Sequence, residues 1–257
     1  MISKFRAVYL RELKYYFHSI TAYVTICIFL IISGYFFFSI FRFYNLMSLK
    51  TIQSGDFSAN LNLIDGVMRP MFGNISIIIL LILPMITMRL ISEEKKQGTF
   101  ELLLTFPVSD SAIIAGKYFA SLTILAIMLS LTIIFPIMLI IFSDPEILPV
   151  LSGYLGLLLM GASFLSIGTF FSSLTSNQLV AGVSTFGVSL FFLVIGWAAP
   201  LTGSTISTIL AESSILVHFE SFSKGIIDLK DISYYLLLSL FFLFLTLKSL
   251  ESSRWRA

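Results

Sequence analysis

Charged residues are scarce in this chain. Only 12% of its 257 residues are Asp, Glu, Lys or Arg, against about 25% in soluble globular domains. Apolar residues make up 57% of the chain, and the mean hydropathy is +0.98. This composition excludes a soluble globular protein. Its six long apolar runs predict an all-α integral membrane protein with six transmembrane helices.

Cysteine and histidine are nearly absent. The single cysteine, Cys27, cannot form an intrachain disulfide. His18 and His218 are predicted on opposite faces of the membrane, which argues against a metal centre or a Ser–His pair. The sequence around Gly116 and Lys117 lacks both the first glycine and the Ser/Thr of a phosphate-binding loop. We therefore expect no catalytic residue, metal or cofactor in this chain. The net charge of +2 indicates no nucleic-acid surface.

The apolar runs place the spans at about 22–41, 71–91, 111–142, 149–171, 178–198 and 232–250, with a polar loop at about 43–70. The third run is longer than the ~20 residues that cross a bilayer, so it should tilt, protrude or break at Pro136. Small residues recur in the fourth and fifth spans and permit close helix packing. Packing inside one subunit, a dimer seam and a substrate path all explain them.

Residues 3–20 alternate aromatic and aliphatic positions with charged ones at helical spacing. The polar positions are Lys4, Arg6, Arg11, Glu12 and Lys14. This pattern is typical of an amphipathic helix lying in the membrane interface; an extension of the first span is the alternative. Residues 199–231 contain no apolar run long enough to span. They predict one or two short helices that re-enter the membrane or lie on its outer surface.

The most polar stretch between two spans is 93–107, EEKKQGTFELLLTFP. Thr99 suits a helix N-cap, Glu101 suits the positive end of the helix dipole, and Pro107 stops a helix. A short helix over 99–105 would carry more apolar residues than a free loop exposes. The stretch therefore predicts a docking element for another protein, with a bare loop as the alternative.

The basic residues orient the chain. Eleven of the sixteen lysines and arginines fall on the side that holds both termini and 93–107, and five fall on the other. The positive-inside rule then places both termini and 93–107 in the cytoplasm. The spans contain almost no ionisable residue, which argues against a proton- or sodium-driven carrier.

The polar stretch carries the motif E-x-x-x-G-T-x-E-x-L-L-x-x-P, formed by Glu94, Gly98, Thr99, Glu101, Leu103, Leu104 and Pro107. With the amphipathic N-terminal helix and the six spans, it resembles the ABC-2 type permeases. RELKYYFHSITAYV near the start and HFESFSKGIIDLKDISYY near the end are similar to the permease subunit of the gliding-motility-associated ABC transporter. The nitrous-oxide-reductase maturation permease is a close second.

The resemblance implies a type V exporter-like fold, with a single ABC-2 transmembrane permease domain over 1–257. It implies that a cytoplasmic coupling segment over 93–107, which contains the short coupling helix, contacts the ATPase. The residues assigned to this contact are Glu93, Glu94, Lys96, Gly98, Thr99, Glu101, Leu102, Leu103 and Leu104. It assigns an external gate segment to His218, Phe219, Phe222, Gly225, Asp228 and Asp231. A structural interpretation of two of these also stays open, with Gly225 in a turn and Asp231 as the cap of the last span. Arg6, Arg11 and Lys14 belong to the interfacial helix.

The resemblance also implies the partners. They are two cytoplasmic ATPase subunits that bind ATP and Mg²⁺, a second copy of this permease, and an accessory membrane subunit with a large external domain. The expected location is the bacterial cytoplasmic (inner) membrane, and the expected role is export or conformational signalling driven by ATP hydrolysis. The alternative is a non-transporting scaffold that transmits force to an external complex.

Overall fold

The computed structural model describes residues 2–54, 62–99, 109–142, 147–201 and 203–254, and none of these residues forms a strand. The helices are α1 (Ile2–His18), α2 (Ile20–Ser54), α3 (Arg69–Thr87), α4 (Ser92–Lys96), α5 (Asp110–Thr132), α6 (Ile134–Phe142), α7 (Ile147–Leu174), α8 (Gln178–Val194), α9 (Ser204–Glu212), α10 (Ile215–Ser223) and α11 (Leu229–Arg254). A π-helical turn, Ile64–Met68, leads into α3, and a 3₁₀ turn, Ile195–Leu201, follows α8.

Six helical stretches are long and apolar enough to cross a membrane. They are Ile20–Thr51, Ile64–Lys96, Asp110–Ile141, Ile147–Leu174, Gln178–Leu201 and Leu229–Ser252. The predicted all-α membrane fold with six spans is therefore confirmed. That α1 lies in the membrane interface, and that α9 and α10 lie outside, stay predictions.

The predicted polar loop at 43–70 is wrong over much of its length. Helix α2 continues to Ser54, and helical structure resumes at Leu63, just before the π-helical turn. The continuation of α2 packs on the start of the second span, where a Cβ on Gly66 would lie 2.4 Å from the ring of Tyr44. Asp65 and Arg69 form an ion pair at 2.6 Å one turn apart. Tertiary contact therefore extends both helices into a stretch whose composition suggests a loop.

The third apolar run is broken, which is one of the three predicted alternatives beside tilting and protrusion. The break lies at Ile133, three residues before Pro136, and α6 starts immediately after it. Pro136 has no N–H to donate to the carbonyl four residues earlier, which belongs to Thr132. The proline therefore ends α5 at a point upstream of its own position.

Helix α7 is the centre of the bundle and packs against α3, α5, α8, α10 and α11. Its small residues allow close contact: a Cβ on Gly153 would lie 2.2 Å from the ring of Phe72, and one on Gly168 would lie 2.1 Å from Oγ1 of Thr87. The small residues of the fourth span thus pack inside this chain. Helix α8 differs, since Gly187 has no atom within 4 Å of an added Cβ.

Helices α1 and α11, the first and the last described helices, meet at one end of the bundle. Leu90, Ile91, Ile114 and Leu250 form a buried cluster, and Tyr16 packs against it. The end of α3, the start of α5, helix α1 and the end of α11 therefore meet at what we call the terminal end. Helices α9 and α10 and the start of α11 lie at the opposite end.

Candidate functional site

Helix α4, which precedes the predicted docking helix over 99–105, is hydrogen-bonded to the central helix α7. The backbone N–H groups of Ile91 and Ser92 donate to Oγ of Ser172 at 3.0 and 3.1 Å. The Ser172 hydroxyl donates in turn to the carbonyl of Met88 at 3.3 Å. The first N–H groups of a helix have no partner within it, and here the last turn of α7 supplies one. The Lys95 ammonium also donates to the carbonyl of Ser173.

Four charged side chains join α1, α4 and α5 at the terminal end. Lys117 of α5 has a side chain only 2% exposed, and its Nζ lies 3.1 Å from Oε1 of Glu12 and 3.0 Å from Oε1 of Glu94. Nη2 of Arg11 lies 2.7 and 3.0 Å from the same two oxygens. We call Arg11, Glu12, Glu94 and Lys117 the four-charge cluster. Its two cations and two anions compensate one another.

The electrostatics of the four-charge cluster restrict how α1, α4 and α5 can move relative to one another. A buried charge loses its hydration, and only well-placed opposite charges offset that loss. Burial acts to lower the pKa of Arg11, but hydrogen bonds and charges from Glu12 and then Glu94 raise it overall. Arg11 therefore stays cationic. Displacing Glu94 alone would leave Lys117 with one carboxylate, so a movement of α4 is opposed unless α1 and α5 follow.

The rest of α4 and its exit carry weaker polar contacts. The Tyr15 hydroxyl donates to Oε2 of Glu93 at 3.3 Å, and burial followed by the Glu93 charge raises the pKa of Tyr15. Gly98 has φ +69°, a left-handed conformation that glycine adopts without strain. Oγ1 of Thr99 donates to the Glu94 carbonyl at 3.3 Å, and Lys96 is exposed. The chain thus turns away from α4 at Gly98.

The predicted docking helix over 99–105 falls largely outside the described residues. Phe100 to Val108 are not described, and they include four predicted contact residues, Glu101, Leu102, Leu103 and Leu104. Its role in docking stays a prediction. The structure describes only the lead-in, residues 92–99.

Helix α1 packs through most of the apolar face that its sequence pattern predicts, with Val8 buried and Tyr9 half-buried. One residue of the predicted polar face departs from the pattern. Arg6 and Lys14 are exposed, as expected of its polar face, but Glu12 is buried. The helix packs against α5, where a Cβ on Gly116 would lie 2.7 Å from Cγ1 of Val8. The pairing with Lys117 draws Glu12 to this contact, so its grouping with the exposed basic residues was wrong.

At the opposite end, His218 of α10 and Asp231 of α11 form a buried pair, with 3% and 5% of each residue exposed. Nδ1 of His218 lies 2.6 Å from Oδ1 of Asp231, and Nε2 lies 3.0 Å from the carbonyl of Glu212. Because a carbonyl only accepts, Nε2 carries a proton. The imidazole also stacks on Tyr234 at a centroid distance of 4.0 Å. The pair therefore links α9, α10 and α11.

The other residues predicted for the external gate segment pack in the core, form a turn or cap a helix. Phe219 and Phe222 are buried on α10. Gly225 lies in the turn that follows α10, with φ +85°. Oδ1 of Asp228 accepts the backbone N–H of Lys230 at 3.0 Å. Asp228 is thus the cap of α11, and the interpretation of Asp231 as that cap was wrong.

Sequence reasoning missed two features of the terminal end. The first is the role of Lys117, which lies inside an apolar run, where a charge requires a partner. That signal pointed to a buried pair but could not identify Glu12 or Glu94. The second feature is Ser172, and no sequence signal marks its contact with α4. Within the described residues, no group of three or more His, Cys, Asp and Glu is placed to hold a metal ion.

Comparison with known proteins identifies the chain at the family level. A family model described as "ABC-2 family transporter protein" matches residues 44–247. The match includes Glu94, Lys117, His218 and Asp231, whereas α1 precedes it. None of the curated proteins matches the chain.

Proposed function

This chain belongs to the ABC-2 transporter family, and we propose that it couples ATP hydrolysis by a separate cytoplasmic ATPase to a conformational change across the membrane. As a member of that family it is a multi-pass membrane protein and the permease subunit of an ABC transporter. In our proposal the ATPase binds ATP and Mg²⁺, and this chain supplies no catalytic residue. Two ATPase copies serve two permease protomers.

The four-charge cluster is the observation that carries the proposal. Residues 92–99 lead directly into the predicted coupling helix, and Glu94 within them is tied to Lys117 and Arg11 at 3.0 Å. A push on the coupling helix would therefore move α4, α1 and α5 together. Such a unit is a two-state element biased by a ligand bound elsewhere.

The orientation of the bundle follows from its basic residues. The placement of the spans from the sequence assigns eleven of the sixteen lysines and arginines to the side that corresponds to the terminal end. Basic residues are retained on the cytoplasmic side. We propose that the terminal end faces the cytoplasm of a bacterial cell and that α9 and α10 face outward.

We place the second protomer on α3 and α8. These helices border an apolar groove of about 320 Å³ lined by Leu81, Pro84, Met85, Met88, Leu179, Gly182, Val183 and Phe186. A twofold axis would bring the same surface of each protomer into contact. The finer assignment to a gliding-motility-type system, with an accessory subunit on the external side, rests on the resemblance of residues 11–24 and 218–235.

The experiment is affinity purification from native membranes through a tag on Ala257, followed by mass spectrometry. We expect an ATPase that bears a phosphate-binding loop to co-purify. Glu101→Arg and Leu103→Asp should each remove it without preventing membrane insertion. Lys224→Asp, at the opposite end, is the matched charge-reversal control and should retain it.

Two results would contradict the proposal. Recovery of this chain without any ATPase would exclude ATP-driven coupling. Recovery with external proteins alone would favour the non-transporting scaffold that anchors or pulls an external complex.

A further inference from the structure

The terminal end contains a cavity of about 470 Å³ between α1, α2, α3, α4 and α5. Its apolar wall is formed by Val24 and Ile28 of α2 and by Ile82, Met85 and Ile86 of α3. Its other wall is polar and comes from α1 and α4. Cavities of about 300–1,000 Å³ that combine an apolar wall with a few polar groups are typical ligand sites. This cavity therefore suits an amphipathic ligand, with a polar group at the α1 and α4 wall and an apolar group at the α2 and α3 wall.

The charges that line this cavity are balanced. The cations are Arg11, Arg89 and Lys117, and the anions are Glu12, Glu93 and Glu94. Balanced charge disfavours a ligand with net negative charge, such as a free phosphate or an anionic lipid. It suits a ligand that carries one charge of each sign.

Two groups in the cavity wall lack a partner among the described residues. Arg89 is exposed and has no hydrogen-bond or ion-pair partner in that part of the chain. Glu94 receives its ion pairs through Oε1, whereas its Oε2 is buried without a hydrogen-bond partner. A buried acceptor without a donor is costly. The Glu94 side chain as a whole is 20% exposed and lines the cavity. The cavity thus offers one cation for a phosphate and one carboxylate for an N–H donor.

We infer that this cavity binds one phospholipid with an ethanolamine headgroup from the adjacent leaflet. The phosphate pairs with Arg89, the primary ammonium donates to the Glu94 carboxylate, and an acyl chain lies along the apolar wall of α2 and α3. A choline headgroup has no N–H to donate, and a glycerol headgroup leaves the lipid anionic. The inference does not depend on coupling to an ATPase.

The test is native mass spectrometry of the purified full-length protein. The protein is released from nanodiscs containing equal amounts of phosphatidylethanolamine, phosphatidylcholine and phosphatidylglycerol. We expect one retained phosphatidylethanolamine per chain. Arg89→Ala and Glu94→Gln should each lower its retention about tenfold, the expected effect of losing one charge-assisted hydrogen bond. Arg42→Ala, which removes an exposed arginine of α2 away from the cavity, should leave retention unchanged.

A cavity-filling variant separates lipid binding from the charges. Ile28→Trp places a larger side chain in the cavity at its apolar wall and leaves every charged residue unchanged. It should also remove the retained lipid. Equal retention of the three lipids by the natural protein would overturn the inference, as would a preference for phosphatidylglycerol. Retention that is the same in Arg89→Ala, Ile28→Trp and Arg42→Ala would overturn it too.

Discussion

Lys117 illustrates how a single residue can position three helices. Its ammonium lies between the carboxylates of Glu12 and Glu94, on two other elements, and Arg11 contacts the same oxygens. Such a buried ion pair contributes little net stability compared with apolar packing, but breaking it by removing one partner is costly. Mutation of Lys117 should therefore reveal a large effect.

We expect Lys117→Met to lower the free energy of unfolding by about 3–5 kcal/mol, because two carboxylates then share Arg11 alone. Thermal unfolding in nanodiscs measures this loss. The control is Lys224→Met, which breaks an ion pair whose side chains are 42% and 62% exposed. An exposed pair is worth about 0–1 kcal/mol. Equal loss in the two variants would contradict the role of the four-charge cluster.

A double variant distinguishes the lost charge balance from lost packing. Glu12→Gln added to Lys117→Met removes one of the two carboxylates that then share Arg11 and should restore part of the lost stability. Additive losses from the two substitutions would mean that they do not interact.

His218 and Asp231 make a second prediction at this scale. Asp231→Asn removes the carboxylate that contacts Nδ1 of His218 at 2.6 Å, so α10 should separate more often from the start of α11. Hydrogen exchange should become faster over residues 213–223. Asp228→Asn alters only the cap of α11 and should leave exchange in that segment unchanged. Unchanged exchange in Asp231→Asn would show that the pair does not hold α10.

Sequence alone could identify these residues but not their partners. Lys117 lies 105 residues from Glu12 and 23 from Glu94, and His218 lies 13 from Asp231. Which residues meet is set by helix packing, which hydropathy does not encode. The interpretation of Asp231 as a helix cap failed for this reason, since local capping preference favours both Asp228 and Asp231.

At the scale of elements, α7 depends on its small residues. Gly168→Val should separate α7 from α3, because even a Cβ would lie 2.1 Å from Oγ1 of Thr87. Overpacking of this kind costs about 1–3 kcal/mol or more. Gly187→Val on α8 introduces the same side chain where nothing lies within 4 Å. Thermal unfolding should show a lower midpoint for Gly168→Val alone, and an equal shift in both variants would contradict this packing.

The spans were predictable because membrane helices need long apolar runs, and all six were found. Helix ends outside the apolar runs were less predictable. The stretch 43–54 is polar enough to suggest a loop, but contact between Tyr44 and Gly66 keeps it helical. A break at Pro136 is one of the three outcomes that the length of the third run predicts. Its position at Ile133 reflects the carbonyl that the proline leaves without a donor.

At the scale of the molecule, α7 connects the two ends of the bundle. Near the terminal end, Oγ of Ser172 accepts the N–H groups that begin α4. At the opposite end, Oγ of Ser152 donates to the carbonyl of Phe222 on α10 at 2.7 Å. Between them, Oγ of Ser163 donates to the carbonyl of Tyr235 at 3.2 Å. A displacement of α4 is therefore linked to α10 through one helix.

The central claim is that ATP hydrolysis at the terminal end moves the opposite end through the four-charge cluster. Its most direct test is a spin-label distance measurement in the complex with its ATPase, between Arg42→Cys and Glu220→Cys. The exposed Cys27 is first replaced by serine. We predict that ATP with vanadate shifts this distance, and that Lys117→Met abolishes the shift while ATP hydrolysis continues. The same shift in Lys117→Met would contradict the account.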